Sequence, residues 1–313
     1  MRVLFACDAG PAIGGGHVMR CLTLAEALTG MGAACAFLDT HATAPLLDAF
    51  ATHDIERVDE AQAWPSDWVV LDNYRSTLDE EAGWRTGSRL AVIDDLARPH
   101  AADLVVDPSF GRDATTYAPA PALTGPAHAL VRRGFADRRE DALARRGGPA
   151  RRALIAFGLT DVGGITQAAL DILLPLTGET RLDVVAGSGA PSLPRLRALA
   201  QGGAIDLHID VRDMATLSAQ ADVAVGAGGG SVWERAVLGL PSVVVPLADN
   251  QIAMTTLLDS YGALVSAELS DLGAAWARLI GDAELRRSLA DRSADLCDGL
   301  GAERVARALL AAD

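Results

Sequence analysis

Residues 1–38 read MRVLFACDAGPAIGGGHVMRCLTLAEALTGMGAACAFL, in which two short apolar runs flank a glycine-rich loop and an amphipathic stretch. The runs at 2–6 and 33–38 predict strands, and the apolar spacing over 18–31 predicts a helix between them. Both runs are apolar at nearly every position, which is typical of strands covered on both faces of a sheet. Strand, helix and strand in this order predict parallel α/β structure.

The same alternation continues along the chain. Further strands are predicted at 68–72, 90–93, 104–106, 153–157, 182–186, 205–209, 222–225 and 242–245, and 269–313 is predicted to be wholly helical. With 313 residues at about 150 per domain, we predict an α/β chain of two Rossmann-like, doubly wound domains. Ligands of such sheets bind outside the carboxyl ends of the strands, so the cleft between the domains is the expected site.

A stretch crowded with arginine pairs lies between the two halves and ends in Gly147-Gly148-Pro149. We predict the domain boundary here, with domains at 1–149 and 150–313 and a terminal helix that can cross back to the first domain. The pairs admit two interpretations, a solvated helical hinge region or a positive collar near an anionic ligand. They are Arg132-Arg133, Arg138-Arg139, Arg145-Arg146 and Arg151-Arg152.

The charge balance is acidic, with 27 basic against 41 acidic residues and a formal net charge of −14. This argues against a surface that neutralises nucleic-acid phosphates. All 27 basic residues are arginine, which excludes a phosphate-loop lysine, a Schiff base and a pyridoxal phosphate attachment. The apolar runs are too short for a membrane span or a signal peptide. We therefore expect a cytoplasmic protein that binds neither nucleic acid nor a membrane.

The four cysteines are Cys7, Cys21, Cys35 and Cys297. They form no C-x-x-C pair, and no histidine lies at zinc-ligand spacing from them. We expect reduced, mostly buried thiols, no metal and no cofactor.

Three glycines precede the first predicted helix and are followed directly by His17. Glycines let a backbone approach a ligand closely, and a helix N-terminus favours negative charge. A lone histidine is more often structural, but we predict a functional role for one held in this loop at the ligand edge of the sheet. Arg20, on a similar helix face, either orients His17 or a phosphate, or is only a surface charge.

A second glycine turn, Gly228–Gly230, follows the strand predicted at 222–225 and opens a helix. Its backbone N–H groups can bind a diphosphate without any lysine. Glu234 follows one helical turn later, where a carboxylate can accept both hydroxyls of a ribose. The alternative is a tight helix–strand contact with a glutamate that favours the helix dipole. Three successive glycines followed by Ser231 and Glu234 exceed what that alternative needs.

The only two asparagines, Asn73 and Asn250, each lie just past a predicted strand end. Such polar groups are typical of ligand contacts or helix caps, and Asp249 or Asn250 could cap a helix that begins at 251. Tyr74 lies beside Asp72 in sequence, and its phenol could donate to a sugar hydroxyl or to a water.

These motifs together resemble the UDP-sugar enzymes of the GT-B architecture, and most closely the family of UDP-2,4-diacetamido-2,4,6-trideoxy-β-L-altropyranose hydrolases of pseudaminic acid biosynthesis. The resemblance covers most of residues 1–262. The segments that carry it are Asp8 with Ile13–Leu22, Leu71–Tyr74, Ile93–Leu96, His128–Arg132, Phe157–Asp161, Asp210–Ala215, Gly226–Glu234, Gly239–Ser242 and Ala248–Gln251.

The resemblance implies two Rossmann-like domains that face each other across a cleft, and metal-free hydrolysis of the anomeric C–O bond of a UDP-sugar with inversion. It implies that His17 is the base that deprotonates the attacking water, a role that suits imidazole with its ordinary pKa of about 6.5. Tyr74 and Asn250 would hold the water or the sugar. The other implied substrate contacts are Asp8, Gly15, Gly16, Arg20, Asp72, Gly158, Thr160, Met214, Gly228, Gly229, Gly230, Ser231, Glu234, Asp249 and Gln251.

The sequence departs from the family at three places. Gly10 stands where the family usually has a hydroxyl residue, Leu159 replaces a glycine, and 107–110 lacks the family's amide-rich pattern. These departures concern sugar recognition more than chemistry. Three alternatives stay open: a GT-B glycosyltransferase using a UDP-N-acetylhexosamine, the same hydrolysis on a related UDP-diacetamido sugar, and a UDP-sugar-binding regulator without turnover. The sequence makes no prediction of the oligomeric state.

Overall fold

The computed structural model describes residues 1–10, 13–51 and 55–312. The chain forms two compact units, which are Met1–Arg132 with Gly299–Asp313 (unit 1) and Arg133–Asp298 (unit 2). No helix among the described residues has both the length and the apolar character that a membrane span needs.

Thirteen strands are described. They are β1 (Arg2–Cys7), β2 (Ala34–Leu38), β3 (Glu56–Val58), β4 (Trp68–Asp72), β5 (Arg89–Ile93), β6 (Leu104–Asp107), β7 (Ala122–Thr124), β8 (Arg152–Ala156), β9 (Arg181–Ala186), β10 (Asp206–Ile209), β11 (Val223–Ala227), β12 (Ser242–Val245) and β13 (Val265–Ser266). They form two sheets with parallel neighbours, in the order β3-β2-β1-β4-β5-β6-β7 in unit 1 and β10-β9-β8-β11-β12-β13 in unit 2.

The α-helices of the described residues connect the strands and follow the last of them. They are α1 (Gly16–Gly30), α2 (Ala44–Phe50), α3 (Leu78–Trp84), α4 (Arg133–Asp137), α5 (Arg139–Ala144), α6 (Ile165–Leu173), α7 (Leu193–Gln201), α8 (Met214–Gln220), α9 (Ser231–Val237), α10 (Asp249–Tyr261), α11 (Leu272–Gly281), α12 (Ala283–Leu296) and α13 (Gly301–Ala311). The strands predicted from apolar runs are present with ends shifted by at most two residues.

Both faces of the unit 1 sheet are buried. Val3 and Phe5 of β1 lie in the apolar cluster that includes α1 and α13, whereas Leu4 and Ala6 lie in the cluster on the opposite face. Since successive side chains of a strand point to opposite faces, a strand covered on both faces must be apolar throughout. This explains the unbroken apolar runs. Unit 2 has its own core around the fully buried Trp276.

The segment 269–313, predicted to be wholly helical, contains three α-helices and a non-helical break between α12 and α13. Cys297 adopts an extended backbone after α12, and Gly299 has a φ of 82°, in the left-handed region that favours glycine. The break returns the chain to unit 1, where a Cβ added to Gly301 would lie 2.2 Å from the carbonyl oxygen of Ala129. Only glycine permits so close a contact at the start of α13.

All of the arginine-rich stretch except Arg132 lies in unit 2, because the division between the units falls after Arg132, whereas the predicted boundary is at 149. Arg139 donates hydrogen bonds of 2.6–3.0 Å to three carbonyl oxygens at or near the C-terminal ends of α9 and α12. Arg146 donates to two further carbonyl oxygens at 2.6 and 2.8 Å. Carbonyls at helix ends lack partners within the helix, so these two guanidinium groups supply hydrogen-bond donors to helix ends within unit 2.

Three short strands were not predicted from the sequence. β3, β7 and β13 contain three, three and two residues and lie at sheet edges. Runs of this length are too short for periodicity to distinguish them from loops.

Candidate functional site

Each sheet has one point where the strand order reverses. In unit 1 this point lies between β1 and β4, where Cys7 is opposite Asp72, and in unit 2 it lies between β8 and β11, where Ala156 is opposite Gly226. Loops diverge from the carboxyl ends of the strands at such a point and leave a crevice for a ligand. The two predicted glycine motifs follow β1 and β11, so each lies at the switch point of its own unit.

A buried histidine–carboxylate pair occupies the switch point of unit 1. His17, the second residue of α1, is 4% exposed, and its Nδ1 lies 2.5 Å from Oδ1 of the fully buried Asp72 at the end of β4. Arg20, one turn further along α1, donates from Nε to Asp72 Oδ2 at 2.5 Å and from Nη2 to Oδ1 at 2.6 Å. The i, i+3 spacing therefore presents both side chains to one carboxylate.

The electrostatics of this cluster fix the tautomer of His17. Burial opposes the charge of Asp72, but the Arg20 guanidinium and the His17 ring outweigh burial and hold the pKa of the carboxyl below its ordinary value. An ionised carboxylate only accepts hydrogen bonds, so the network assigns the ring proton to Nδ1 of His17. Nε2 then carries the free lone pair, as a general base requires.

Tyr74 joins the same cluster from the loop after β4. Its ring stands edge-on to His17, with centroids 4.5 Å apart and an interplanar angle of 78°. Its hydroxyl donates to Asp95 Oδ2 at 2.8 Å, and Arg20 donates to the same oxygen at 3.1 Å. Burial raises the pKa of Tyr74, Arg20 opposes the rise, and Asp95 adds to it, so the phenol keeps its proton. That proton is directed to Asp95, whereas the sequence suggested a phenol that could donate to a sugar hydroxyl or to a water.

Asp95 was not among the predicted site residues. It follows β5 in the way that Asp72 ends β4, and β4 and β5 are parallel neighbours, so both carboxylates reach the same edge of the sheet. The signal was an acidic pair, Asp94-Asp95, directly after an apolar run.

Behind this cluster lies a second group of buried polar side chains. The hydroxyl of Tyr117 lies 2.9 Å from Asp94 and 2.6 Å from Asp107, and His100 lies 2.9 Å from Glu81 and 3.6 Å from Asp94. The side chains of His100, Glu81 and Asp94 are at most 1% exposed. Burial lowers the pKa of His100, but the two carboxylates outweigh burial and raise it to about 9. His100 is therefore a buried cation at neutral pH.

We expect the folding stability to fall as the pH rises from about 6.5 to about 9. In this window His100 is protonated in the folded chain but not in the unfolded chain, so its contribution is complete below the unfolded pKa and is lost through the folded one. The difference between the folded and unfolded pKa of His100 corresponds to about 3 kcal/mol of folding stability. Urea unfolding between pH 6 and 10 gives the free energy of unfolding of the wild type and of His100→Gln. The difference between the two free energies should decrease as the pH rises. His128→Gln is the control, and a constant gap for His100→Gln would contradict the assignment.

Other predicted residues of unit 1 surround the start of α1. Asp8 follows β1, and its Oδ2 accepts from Arg75 at 2.6 Å. Gly15 is the N-cap of α1 and Gly16 its first residue, and a Cβ added to Gly16 would meet nothing within 4 Å. The main chain at Gly16 is therefore open on that side.

The glycines of the unit 2 turn serve two different purposes. A Cβ on Gly226 would lie 2.4 Å from the carbonyl oxygen of Ala156, and one on Gly228 would lie 2.8 Å from the side chain of Thr255. These two positions require glycine for packing. A Cβ on Gly230 would meet nothing within 4 Å, so packing does not explain that glycine, and its exposed backbone is open to a ligand.

A buried guanidinium lies against this turn and was not predicted. Arg235 is 5% exposed, and it donates to the carbonyl oxygen of Ala227 at 2.8 Å and to Ser231 Oγ at 3.1 Å. Burial lowers its pKa to about 10, which still leaves it charged at neutral pH. Among the described residues it forms no ion pair, so its positive charge is not neutralised by a direct carboxylate contact. Because Ser231 Oγ accepts from Arg235, its own proton is left for another acceptor.

The predicted group at 249–251 is arranged differently from expectation. α10 begins at Asp249 without a side-chain cap, so neither Asp249 nor Asn250 caps a helix from 251. Gln251 Oε1 accepts from the main-chain N–H groups of Gly228 and Leu247, at 3.1 and 3.0 Å. The side-chain carbonyl of Gln251 thus links the glycine turn to the loop after β12 by hydrogen bonds. Only the side-chain N–H groups of Gln251 are left for a ligand.

The remaining predicted residues of unit 2 lie in loops or in the first turns of helices that follow the strands of its sheet. Gly158, with a φ of 100°, and Thr160 follow β8, and Met214 begins α8. A Cβ added to Gly187 would lie 2.3 Å from the carbonyl oxygen of Leu159, so the Leu159 main chain packs closely on Gly187. Glu234, half-buried, lies in the first turn of α9.

The cysteines are all free thiols, with Cys21 and Cys297 buried and Cys7 and Cys35 half-buried. Within the described part of the chain, no three His, Cys, Asp or Glu side chains are grouped in a way that could hold a metal ion.

Comparison with known proteins supports the resemblance stated from the motifs. The chain is 23% identical over 274 residues to the UDP-2,4-diacetamido-2,4,6-trideoxy-β-L-altropyranose hydrolase of Campylobacter jejuni, covering 84% of this chain and 97% of that protein. It is 28% identical over 191 residues to the spore coat polysaccharide biosynthesis protein SpsG of Bacillus subtilis, covering 58% of this chain and 56% of that protein. No model of a protein family matches the chain.

Solved structures confirm the predicted fold class. MurG of Acinetobacter baumannii superposes with a TM-score of 0.68 at 17% identity, over 99% of both chains. MnaA of S. aureus, solved with UDP, superposes with a TM-score of 0.64 at 14% identity, over 97% of this chain and 94% of that one. The spinosyn rhamnosyltransferase SpnG with thymidine diphosphate gives 0.65 at 16% over 99% and 100%. The chain has the two parallel α/β domains of the GT-B fold.

Proposed function

We propose that the chain is an enzyme that acts on UDP-sugars, and that it hydrolyses the anomeric C–O bond of UDP-2,4-diacetamido-2,4,6-trideoxy-β-L-altropyranose. The products are UDP and the free sugar, which pseudaminic acid synthesis would use. The observation that carries this proposal is the buried His17–Asp72 pair at the switch point of unit 1, in which Nδ1 is the ring nitrogen that contacts the carboxylate. The similarity to a C. jejuni protein named for this hydrolysis supports the choice of substrate.

In the proposed reaction a water attacks the anomeric carbon on the face opposite the diphosphate, which inverts the configuration. The bond from water oxygen to carbon forms while the bond from carbon to the diphosphate oxygen breaks, and UDP leaves with the electron pair. The proton of the water passes to Nε2 of His17. The positive charge on the imidazole is balanced by Asp72, which keeps its own negative charge.

The phenol oxygen of Tyr74 supports this step as an acceptor. Because its proton is directed to Asp95, the oxygen can accept from the attacking water or from a sugar N–H or O–H group. Asn250 is proposed as an amide contact to the sugar or the water, from the resemblance. Asp8, Gly15 and Gly16 are proposed to contact the substrate from unit 1.

Unit 2 is proposed to bind the nucleotide. The diphosphate would accept from the open backbone at Gly229 and Gly230 and from the hydroxyl of Ser231, above the buried positive charge of Arg235. A Cβ on Gly229 would lie 3.9 Å from Gln251 Nε2, which places that amide beside the turn. The remaining proposed contacts are Gly158, Thr160, Met214, Asp249 and, for the ribose, Glu234.

Glu234→Ala is expected to raise KM about tenfold to a hundredfold and to change kcat little. A hydrogen bond to a charged group contributes about 1.5–3 kcal/mol, and the ribose is remote from the breaking bond, so the loss is one of uniform binding. Steady-state UDP release measures both constants. Glu284→Ala is the matched control, since Glu284 is an exposed first-turn glutamate of α12 with the same relation to a helix dipole. A fall in kcat at constant KM would contradict the proposed contact between Glu234 and the ribose.

The proposed activity is tested by incubating the protein with a panel of UDP-diacetamido sugars and measuring UDP release. Hydrolysis in ¹⁸O-water should place the label on the sugar and not on UDP, because the C–O bond is the one that breaks. NMR of the first product should show the inverted anomer. Label on the phosphate, retention of configuration, or release with none of the panel would contradict the proposal.

The likeness to MurG over 99% of both chains favours one second candidate, a glycosyltransferase that uses a UDP-N-acetylhexosamine. UDP release that requires an added acceptor would support the transferase, and release with water alone would support hydrolysis. UDP-sugar binding without turnover under either condition would indicate a regulator.

A further inference from the structure

The loop that carries Tyr74 is held by one arginine. Arg98 donates from Nη2 to the carbonyl oxygen of Asn73 at 2.9 Å, and from Nη1 to the carbonyl oxygens of Tyr74 and Ser76 at 2.8 and 3.4 Å. Three main-chain carbonyls over four residues are thus tied to a single planar group, which fixes the path of the loop on either side of the tyrosine.

Arg98 is itself held in place. Ala97 has a φ of 60°, a left-handed backbone that is uncommon for a residue with a Cβ, and this turn brings the Arg98 N–H within 3.1 Å of Asp94 Oδ2. The Arg98 Nε lies 3.4 Å from the other oxygen of Asp94. Asp94 is fully buried and also accepts from Tyr117. The guanidinium therefore rests on a rigid, buried anchor.

The same turn carries the group that orients the phenol. Asp95 adjoins Asp94 and accepts a hydrogen bond from the Tyr74 hydroxyl. One short segment after β5 thus positions both the backbone and the side-chain oxygen of Tyr74. A loop held only at its ends would let the phenol swing away from the His17 ring, whose centroid lies 4.5 Å from that of Tyr74.

We propose that Arg98 is a positioning residue for the hydrolytic step. By fixing the Tyr74 loop, Arg98 keeps the phenol ring beside His17, where the phenol oxygen can accept a hydrogen bond from the attacking water. This inference rests on the proposed function and assigns Arg98 no contact with the substrate. It requires that the effect of Arg98 on turnover pass through Tyr74.

A double-mutant cycle tests that requirement. Arg98→Met keeps most of the side-chain length and removes every donor, and it is expected to lower kcat about 10–100-fold, by the effect that misplacing a catalytic contact has on rate. KM and the UDP affinity measured by calorimetry should change less than about twofold, since the nucleotide is assigned to unit 2. In a Tyr74→Phe background, Arg98→Met should lower kcat less than about threefold further, because the oxygen it positions is already absent.

Arg98→Lys is the second variant, since an ammonium can reach fewer of the three carbonyls, and an intermediate kcat is expected. Arg85→Met is the matched control: it removes an arginine of the same unit whose partner, Asp103, lies at the opposite edge of the sheet, and kcat should not change. Circular dichroism and urea unfolding of each variant monitor folding, and if Arg98→Met does not fold, the cycle is run with Arg98→Lys.

The outcomes separate this inference from the proposed function. A wild type without hydrolysis would overturn the function. A hydrolytic wild type in which Arg98→Met keeps its kcat, or in which the losses from Arg98 and Tyr74 add in full, would overturn the positioning role alone. Coupled losses in kcat, with KM and UDP binding retained, would support it.

Discussion

His17→Leu is expected to lower kcat by about 10²–10⁴-fold and to leave the affinity for UDP nearly unchanged. The variant removes the nitrogen that is proposed to accept the proton of the water. Leucine fills similar space in α1, and the nucleotide is proposed to bind to the other unit, so binding should persist. UDP release and UDP calorimetry on one preparation measure both effects.

His41→Leu is the control, since His41 is an exposed histidine of the same unit. Near-normal turnover of His17→Leu would exclude His17 from catalysis and favour the transferase or binding-protein alternatives. Loss of both turnover and UDP binding would instead make His17 a ligand anchor.

Asp72→Asn is expected to lower kcat by a comparable factor, on the order of 10²–10⁴, although Asp72 itself need not touch the substrate. The amide can present its N–H₂ group to Nδ1, which would move the ring proton to Nε2 and block the base. The variant also leaves the Arg20 guanidinium beside a neutral group. Arg20 keeps its 3.1 Å bond to Asp95 and is 18% exposed, so the stability loss should be near the lower end for a broken buried pair, about 3 kcal/mol.

Asp103→Asn is the matched control for this variant, because Asp103 also forms a bidentate pair with an arginine, but at the opposite edge of the sheet. It should leave kcat unchanged and cost less than about 1 kcal/mol, as exposed ion pairs do. If Asp72→Asn lost stability and kept its kcat, Asp72 would be a structural partner of Arg20 alone.

The sequence predicted those parts of the site that follow from strand ends. His17 and Asp72 come after apolar runs, and parallel strands bring such positions to one edge of a sheet, so both were expected at the ligand edge. The direct contact between the two side chains was not predicted. The unbroken apolar runs likewise predicted strands buried on both faces.

Other parts of the site depend on geometry that no local pattern records. The role of Asp95 requires knowing that β4 and β5 are neighbours, and the role of Arg98 requires the left-handed turn at Ala97. From the sequence, Arg139 and Arg146 belonged either to a solvated hinge or to a positive collar near an anionic ligand. Their partners are main-chain carbonyls about 75–160 residues away in sequence, which composition cannot indicate. The acceptor character of Tyr74 likewise depends on which oxygen lies nearest its hydroxyl.

Because α13 belongs to unit 1, the sequence of unit 2 is an insertion within the sequence of unit 1. During synthesis, residues 133–298 emerge before the segment that completes the His17 unit, so unit 2 can collapse on its own while the core of unit 1 still lacks Val305 and Leu309. Unit 2 can therefore complete its core before unit 1 does, although unit 1 begins first in the sequence. A truncation at the carboxyl terminus would consequently damage the unit that contains the proposed base, although it lies almost 300 residues away in sequence.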